Sequence, residues 1–315
     1  MLTSREKTMA LTQAVFTVKI GSNMSDINPV SQTHIITANC PSRPGTVDVV
    51  TRFLCEKGFY INEIHSFDDT AVNRFFIRIE FRAQTATDFN EADFSQEFEQ
   101  RAREFDMQWQ LASSPYKSKV VIMVSKHDHC LNDLLYRYRT GDLAIEIPAI
   151  ISNHPDLEEL AKWHGIPYYH LPISKETKPE QEAKVWQIIE ESNADLVVLA
   201  RYMQVLSSDL CQKLSGKAIN IHHSLLPGFK GARPYYQAYD RGIKLVGATA
   251  HYVSDDLDEG PIISQGVETV DHSYYPQDLA AKGRDIECLT LSRAVRCHIE
   301  HRIFMYGKKT VVFSK

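Results

Sequence analysis

Between Val120 and Ala200 short apolar runs alternate with stretches of helical spacing, and this alternation narrows the fold more than any other feature of the chain. The runs are Val120 to Val124, Ile147 to Ser152, Tyr168 to Leu171 and Leu196 to Ala200. Between them the spacing predicts helices near Leu131 to Tyr138, Leu157 to His164 and Gln181 to Glu191. Strands that run the same way need a crossover, usually a helix, so the pattern predicts a parallel sheet covered on both faces. Ligands of such sheets lie outside the carboxyl ends of the strands. Asn220 and His222 follow a further strand, Ala218 to Ile221, and are expected at that edge.

The first third follows a different rule. His34 to Cys40 reads as a strand feeding a helix whose Val47, Val50, Phe53 and Leu54 fit one buried face. From Asn73 to Phe81 the residues alternate, Phe75, Ile77, Ile79 and Phe81 on one side and Arg78 and Glu80 on the other, as in a half-buried strand. A charged amphipathic helix from about Phe89 to Phe105 and a strand near Gln108 to Ala112 complete a β-α-β-β-α-β order. The expected fold class is therefore α/β, a ferredoxin-like α+β domain over residues 33–113 and a Rossmann-like domain over 118–315, after an extension of 1–32.

Bulk properties set outer limits. A chain of 315 residues has room for about two cores. A net charge of −5, with 24% charged residues, argues against general nucleic-acid binding. The apolar patch Met9 to Phe16 is too short and too polar for a membrane span, and no other stretch reaches that length. Six cysteines without paired C-x-x-C spacing read as reduced thiols of a cytoplasmic protein.

The chemistry concentrates between Ile219 and Gln265, where Asn220, His222 and Asp258 supply an amide, an imidazole and a carboxylate. Such groups can polarise a carbonyl, move a proton and orient a water or the imidazole. His251, on the strand Val246 to Tyr252, is either a neighbour of this site or a satisfied core histidine, and His223 either tunes a water or points elsewhere. His127, His129 and Cys130 lack an evident fourth ligand, so no metal is expected. Lys282, Gly283, Arg284, Asp285 and Glu287 read equally well as a solvated charged run.

The wording around these residues resembles the folate-dependent formyltransferase family: Asn-x-His with Ser224, Leu225, Leu226 and Pro227, then Leu257, Asp258, Gly260 and Pro261, over roughly residues 118 to 315. The resemblance implies 10-formyltetrahydrofolate as substrate, with no separate cofactor. It also implies a pteridine pocket along Arg201, Tyr202, Met203, Gln204, Val205 and Leu206, with Ser254 and Asp255 nearby. On composition alone Met203 and Leu206 would instead pack into the core.

Family branches that formylate a ribonucleotide carry a glycine-rich phosphate turn after the first strand. Here Ser125 to Leu131 has no glycine and Asp128 faces any anion, so a phosphate nest is disfavoured. With His223 where transferases commonly carry proline, and an ACT-like module in front, the chain resembles the branch that uses water as acceptor. Such an enzyme would supply formate for purine biosynthesis and balance one-carbon pools. The alternatives are transfer to a small amine and a non-catalytic folate or amino-acid sensor. The ACT resemblance rests on Pro41, Arg43, Pro44, Gly45 and the turn from Gly58 to Asn62; it implies self-association and an amino-acid effector near Pro44, Gly45 and Asn62, or else a dimerisation module with an empty pocket.

Overall fold

The computed structural model describes residues 32–83, 89–113, 117–228 and 234–314, so all but the last residue of the expected N-terminal extension lies outside it. The first unit runs β1 (Thr33–Pro41), α1 (Thr46–Glu56), β2 (Tyr60–Asp69), β3 (Arg74–Arg82), α2 (Glu91–Glu104) and β4 (Gln108–Ser113). Its sheet has the order β2-β3-β1-β4, with every neighbouring pair antiparallel. On one face Ile36, Ala38 and Cys40 alternate inward against Phe53 and Leu54 of α1 and Phe94 and Phe98 of α2. The Asn90 side chain caps α2 by accepting from the backbone N–H groups of Ala92 and Asp93, satisfying donors that the helix start leaves open.

The other face of β3 departs from the expected half-buried strand. Phe76 and Arg78 are each 1% exposed. The Phe76 ring meets Phe304 edge-on at 5.5 Å between centroids. Arg78 donates from Nε to the Glu300 carbonyl at 3.0 Å and from Nη1 to Glu63 at 2.7 Å. Alternation reveals one buried face of a strand; it carries no sign of a second layer contributed by residues 222 positions further on.

The second unit runs β5 (Ser118–Val124), α3 (His129–Thr140), β6 (Ile145–Glu146), β7 (Ile150–Ser152), α4 (Glu158–Trp163), β8 (Tyr168–His170), α5 (Lys178–Glu191), β9 (Leu196–Leu199), α6 (Ser208–Lys213) and β10 (Ala218–His222). It continues with α7 (Pro234–Asp240), β11 (Leu245–Tyr252), β12 (Ile262–Thr269), α8 (Pro276–Ile299) and the hairpin β13 (Ile303–Tyr306) and β14 (Lys309–Val312). The large sheet has the order β12-β11-β10-β9-β5-β7-β8, with β6 beside β5. β5, β7, β8, β9 and β10 are parallel as expected, whereas β11 and β12 join antiparallel. Val120, Ile122 and Val124 of β5 enter one core while Val121 and Met123 enter the other, so both faces are covered.

The strand order reverses between β5 and β9, because the chain first builds toward β8 and then returns to the other side of β5. Such a reversal parts the connecting loops and leaves a crevice at the carboxyl edge. The loops after β5 and β9 flank it. α8 has 24 residues and hence a length of about 36 Å at 1.5 Å per residue. Midway along it Glu287 faces Arg201 of the loop after β9, and just past its end it delivers Glu300 to Arg78. No helix among the described residues is long and apolar enough to cross a membrane.

Candidate active site

The strand reading ends β10 one residue too early. It continues through His222, and since side chains alternate along a strand, Asn220 and His222 share one face. Across the antiparallel pair His251 lies opposite Asn220 and Thr249 opposite His222, which brings His251 onto the same face. Asp258 arrives from the turn after β11, with φ of 59°. That turn folds back because of Gly260, where a Cβ would stand 1.7 Å from the Tyr252 carbonyl oxygen, a separation only glycine avoids. The Leu-Asp-x-Gly-Pro wording thus has a mechanical meaning: the glycine's close approach sets the carboxylate beside the imidazoles.

His222 Nδ1 lies 3.2 Å from Asp258 Oδ2, and His251 Nε2 lies 3.7 Å from Oδ1. His251 Nδ1 is 2.8 Å from the Tyr252 carbonyl, which can only accept, so Nδ1 carries a proton. In the neutral ring Nε2 is then an acceptor, and Asn220 Nδ2 donates to it at 3.2 Å. His251 is therefore a neighbour of the site that orients the amide. Burial alone would raise the Asp258 carboxyl, but the hydrogen bond from His222, with the second imidazole of His251 close by, outweighs it and holds the group well below the usual carboxylate range. His222 Nε2 is buried without a hydrogen-bond partner among the described residues. A buried imidazole nitrogen left open beside a cleft is a place for a substrate oxygen or a proton.

All the candidate residues of this site line one cleft of about 250 Å³: Asn220, His222, His223, His251, Ser254, Asp255 and Asp258, with Met203, Gln204, Val205 and Leu206 along the loop after β9. Met203 and Val205 are 54% and 55% exposed, so the alternative of core packing fails for them, while Leu206 packs against the core under α5 and α6. Leu257 adds a further exposed apolar wall. The backbone N–H of Met203 donates at 2.9 Å to Ser125 Oγ, which itself donates to Asn153 at 2.6 Å. The loop after β5 thus braces the pocket loop rather than forming an anion nest. The Ser224 to Pro227 stretch is fixed by Thr249, whose hydroxyl donates to the Ser224 carbonyl at 2.8 Å and accepts from the Leu226 N–H at 3.0 Å.

Beside His223 lies a cluster that the sequence reading missed. Glu287, 1% exposed, accepts from Tyr235 at 3.0 Å, is paired with His129 at 2.7 Å and lies 3.4 Å from Arg201 Nε. The run 282–287 is therefore split, with Gly283 and Glu287 facing inward and Arg284 and Asp285 outward. Burial pushes the Glu287 carboxyl up, but the His129 hydrogen bond and the Arg201 charge prevail and hold it low. Burial lowers His223 to about 4, assisted by the Arg201 and His222 charges, so its ring is neutral near pH 7. His129, Cys130 and Glu287 also place three ligand atoms within 4.8 Å of one another. Glu287 already faces a guanidinium and two hydrogen-bonding side chains, a setting that disfavours a second cation there. No signal could have found this cluster, because its members lie as much as 158 residues apart.

One expected grouping separates. Pro44 and Gly45 line a cavity of about 600 Å³ with Arg43 and Asp48, but Asn62 is absent from it and donates to Glu80 at 3.3 Å. Pro41 pairs with Arg74, whereas Asn62 sits where β2 meets Phe81 and Glu80, roughly 20 Å away along β3 at about 3.3 Å per residue. A turn motif says which residues bend the chain, not which end of the sheet they reach.

A largely parallel sheet with an amide, an imidazole and a carboxylate converging beside a largely apolar cleft at its carboxyl edge defines an α/β enzyme acting on an acyl group. The Formyl transferase family pattern matches residues 118–295. A relative named formyltetrahydrofolate deformylase, from Corynebacterium sp. (strain P-1), is 54% identical over 89% of this chain and 97% of its own. A crystal structure of a formyltetrahydrofolate deformylase from Pseudomonas putida KT2440 superposes with a TM-score of 0.85 at 63% identity, covering 89% of this chain and all of that one. Glycinamide ribonucleotide transformylase 1 from Symbiobacterium toebii is more distant, at 26% identity and a TM-score of 0.60 over 65% of this chain and 98% of its own. The chain belongs to the formyltetrahydrofolate deformylases of the formyltransferase family.

Proposed function

We propose that the chain hydrolyses 10-formyltetrahydrofolate to formate and tetrahydrofolate. The observation that carries the mechanism is the chain Asn220–His251–Asp258–His222, which fixes three polar groups on one cleft wall and leaves His222 Nε2 open. Asn220 and His222 polarise the formyl oxygen, and Asp258 positions the attacking water. The water oxygen bonds to the formyl carbon and gives a tetrahedral intermediate whose oxyanion these donors stabilise. The carbon–nitrogen bond then breaks, its electron pair and a proton relayed by His222 or a water go to N10, and formate leaves. The pterin rests along Met203 to Leu206 and near Ser254 and Asp255.

Transfer to a small amine is the alternative chemistry. Purified protein incubated with 10-formyltetrahydrofolate in water separates the two: formate accumulating without an added amine supports hydrolysis, while consumption of substrate only when an amine is present overturns it. We read residues 33–113 as a ferredoxin-like ACT unit that pairs with its own copy, and residues 118–315 as the catalytic domain. Any amino-acid effector binds at the Pro44 and Gly45 cavity. Glycine and methionine, titrated in the same assay with Gly45→Val as control, test that reading.

A further inference from the structure

Hydrolysis leaves in the site what formyl transfer to an amine does not, an anion. Formate is released beside two carboxylates that line the cleft, Asp255 and Asp258, with buried Glu287 close by. Arg201 is the one arginine or lysine among the described residues lining that cleft. Its side chain is 11% exposed, and Nε lies 3.4 Å from Glu287 yet makes no hydrogen bond among the described residues. Glu287 has other partners in His129 and Tyr235, so it steadies the guanidinium without needing all of its donors. The Arg201 backbone has φ of 64°, a left-handed conformation that a long side chain keeps only where its surroundings impose it, as functional sites often do. The same cation is close enough to His223, the neighbour of His222, to disfavour a charge on that ring.

We propose that Arg201, steadied by Glu287, receives the formate anion as the carbon–nitrogen bond breaks. The proposal rests on the hydrolytic reading above. As N10 takes the bonding pair and one water-derived proton, the one-carbon acid gives up its remaining proton to solvent water and a full negative charge spreads over two oxygens. A planar guanidinium fork matches that pair of oxygens, whereas neutral amide donors such as Asn220 serve the ground-state formyl group equally well. Arg201 is thus a binding residue specific to the product that water generates.

The test is product inhibition of formate-releasing turnover by added formate, compared with formamide, its uncharged isostere. In the unmodified protein formate should inhibit at concentrations at least about tenfold below formamide, the usual advantage of a charge-assisted hydrogen bond. Arg201→Gln should raise the formate inhibition constant at least about tenfold and lower kcat, with KM for the folate within roughly threefold, and Arg201→Lys should recover part of the formate binding. Equal inhibition by formate and formamide in the unmodified protein overturns the proposal without any variant. An unchanged formate constant in Arg201→Gln, or a raised KM with kcat intact, also overturns it, the latter by assigning Arg201 to the folate. Failure of the unmodified protein to release formate would instead overturn the hydrolytic reading on which the proposal stands.

Discussion

At the scale of single residues, side-chain type was informative and side-chain company was not. An amide, an imidazole and a carboxylate in characteristic wording announced Asn220, His222 and Asp258, and the structure gathers them at one cleft. His251 was ambiguous in the sequence, because a histidine on an apolar strand looks the same whether it fills space or orients a neighbour. Its cross-strand place opposite Asn220 decides the matter. Arg201, Tyr235 and Glu287 were illegible as a group, since no local pattern encodes contacts between distant elements. Asn220→Ala should lower kcat about 10²- to 10³-fold, the usual loss for one oxyanion donor, and steady-state kinetics will measure it. A residual rate near that of the unmodified protein would remove Asn220 from the chemistry.

At the scale of elements, periodicity located most strands and helices but not their edges or their second faces. β10 outruns its expected end by His222 itself, and β3 is buried on both faces because the chain's C-terminal segment covers one of them. The turn between β11 and β12 shows what a motif can conceal: Gly260 contributes no chemistry, yet a Cβ at this position would collide with the Tyr252 carbonyl. Gly260→Ala should cost about 1–3 kcal/mol of stability, the range for overpacking a tight site, and should lower kcat more than that loss of folded protein explains. Thermal denaturation with kinetics on the folded fraction checks both parts. A variant with ordinary kcat would show that the turn does not set the carboxylate.

At the scale of the whole molecule, both units bury histidine rings that acid would have to charge. Burial holds His34, His223 and His298 near pKa values of about 4. An unfolded histidine titrates near 6.5, so between about 6.5 and 4 the unfolded chain binds protons that the folded chain refuses. Stability therefore rises with pH across that window and is lost on acidification through it. Below it the depressed Asp258 and Glu287 carboxyls add a loss of the same sign as they protonate. The midpoint of thermal unfolding should fall steadily from pH 7 to pH 4.5, and a flat profile would contradict the burial of these rings. The two element orders were legible because the β-α-β-β-α-β order and the βα alternation are patterns of the chain itself. Their contact through Arg78, Glu63 and Glu300 was not, because it is a property of the assembled molecule. What joins all three scales is the proposed attack of water on a formyl carbon, and its direct measure is oxygen isotope transfer. With 10-formyltetrahydrofolate turned over in ¹⁸O-water without any amine, formate should carry one solvent oxygen per molecule while tetrahydrofolate forms in equal amount. Formate without solvent oxygen, or no formate until an amine is supplied, would contradict hydrolysis at this site.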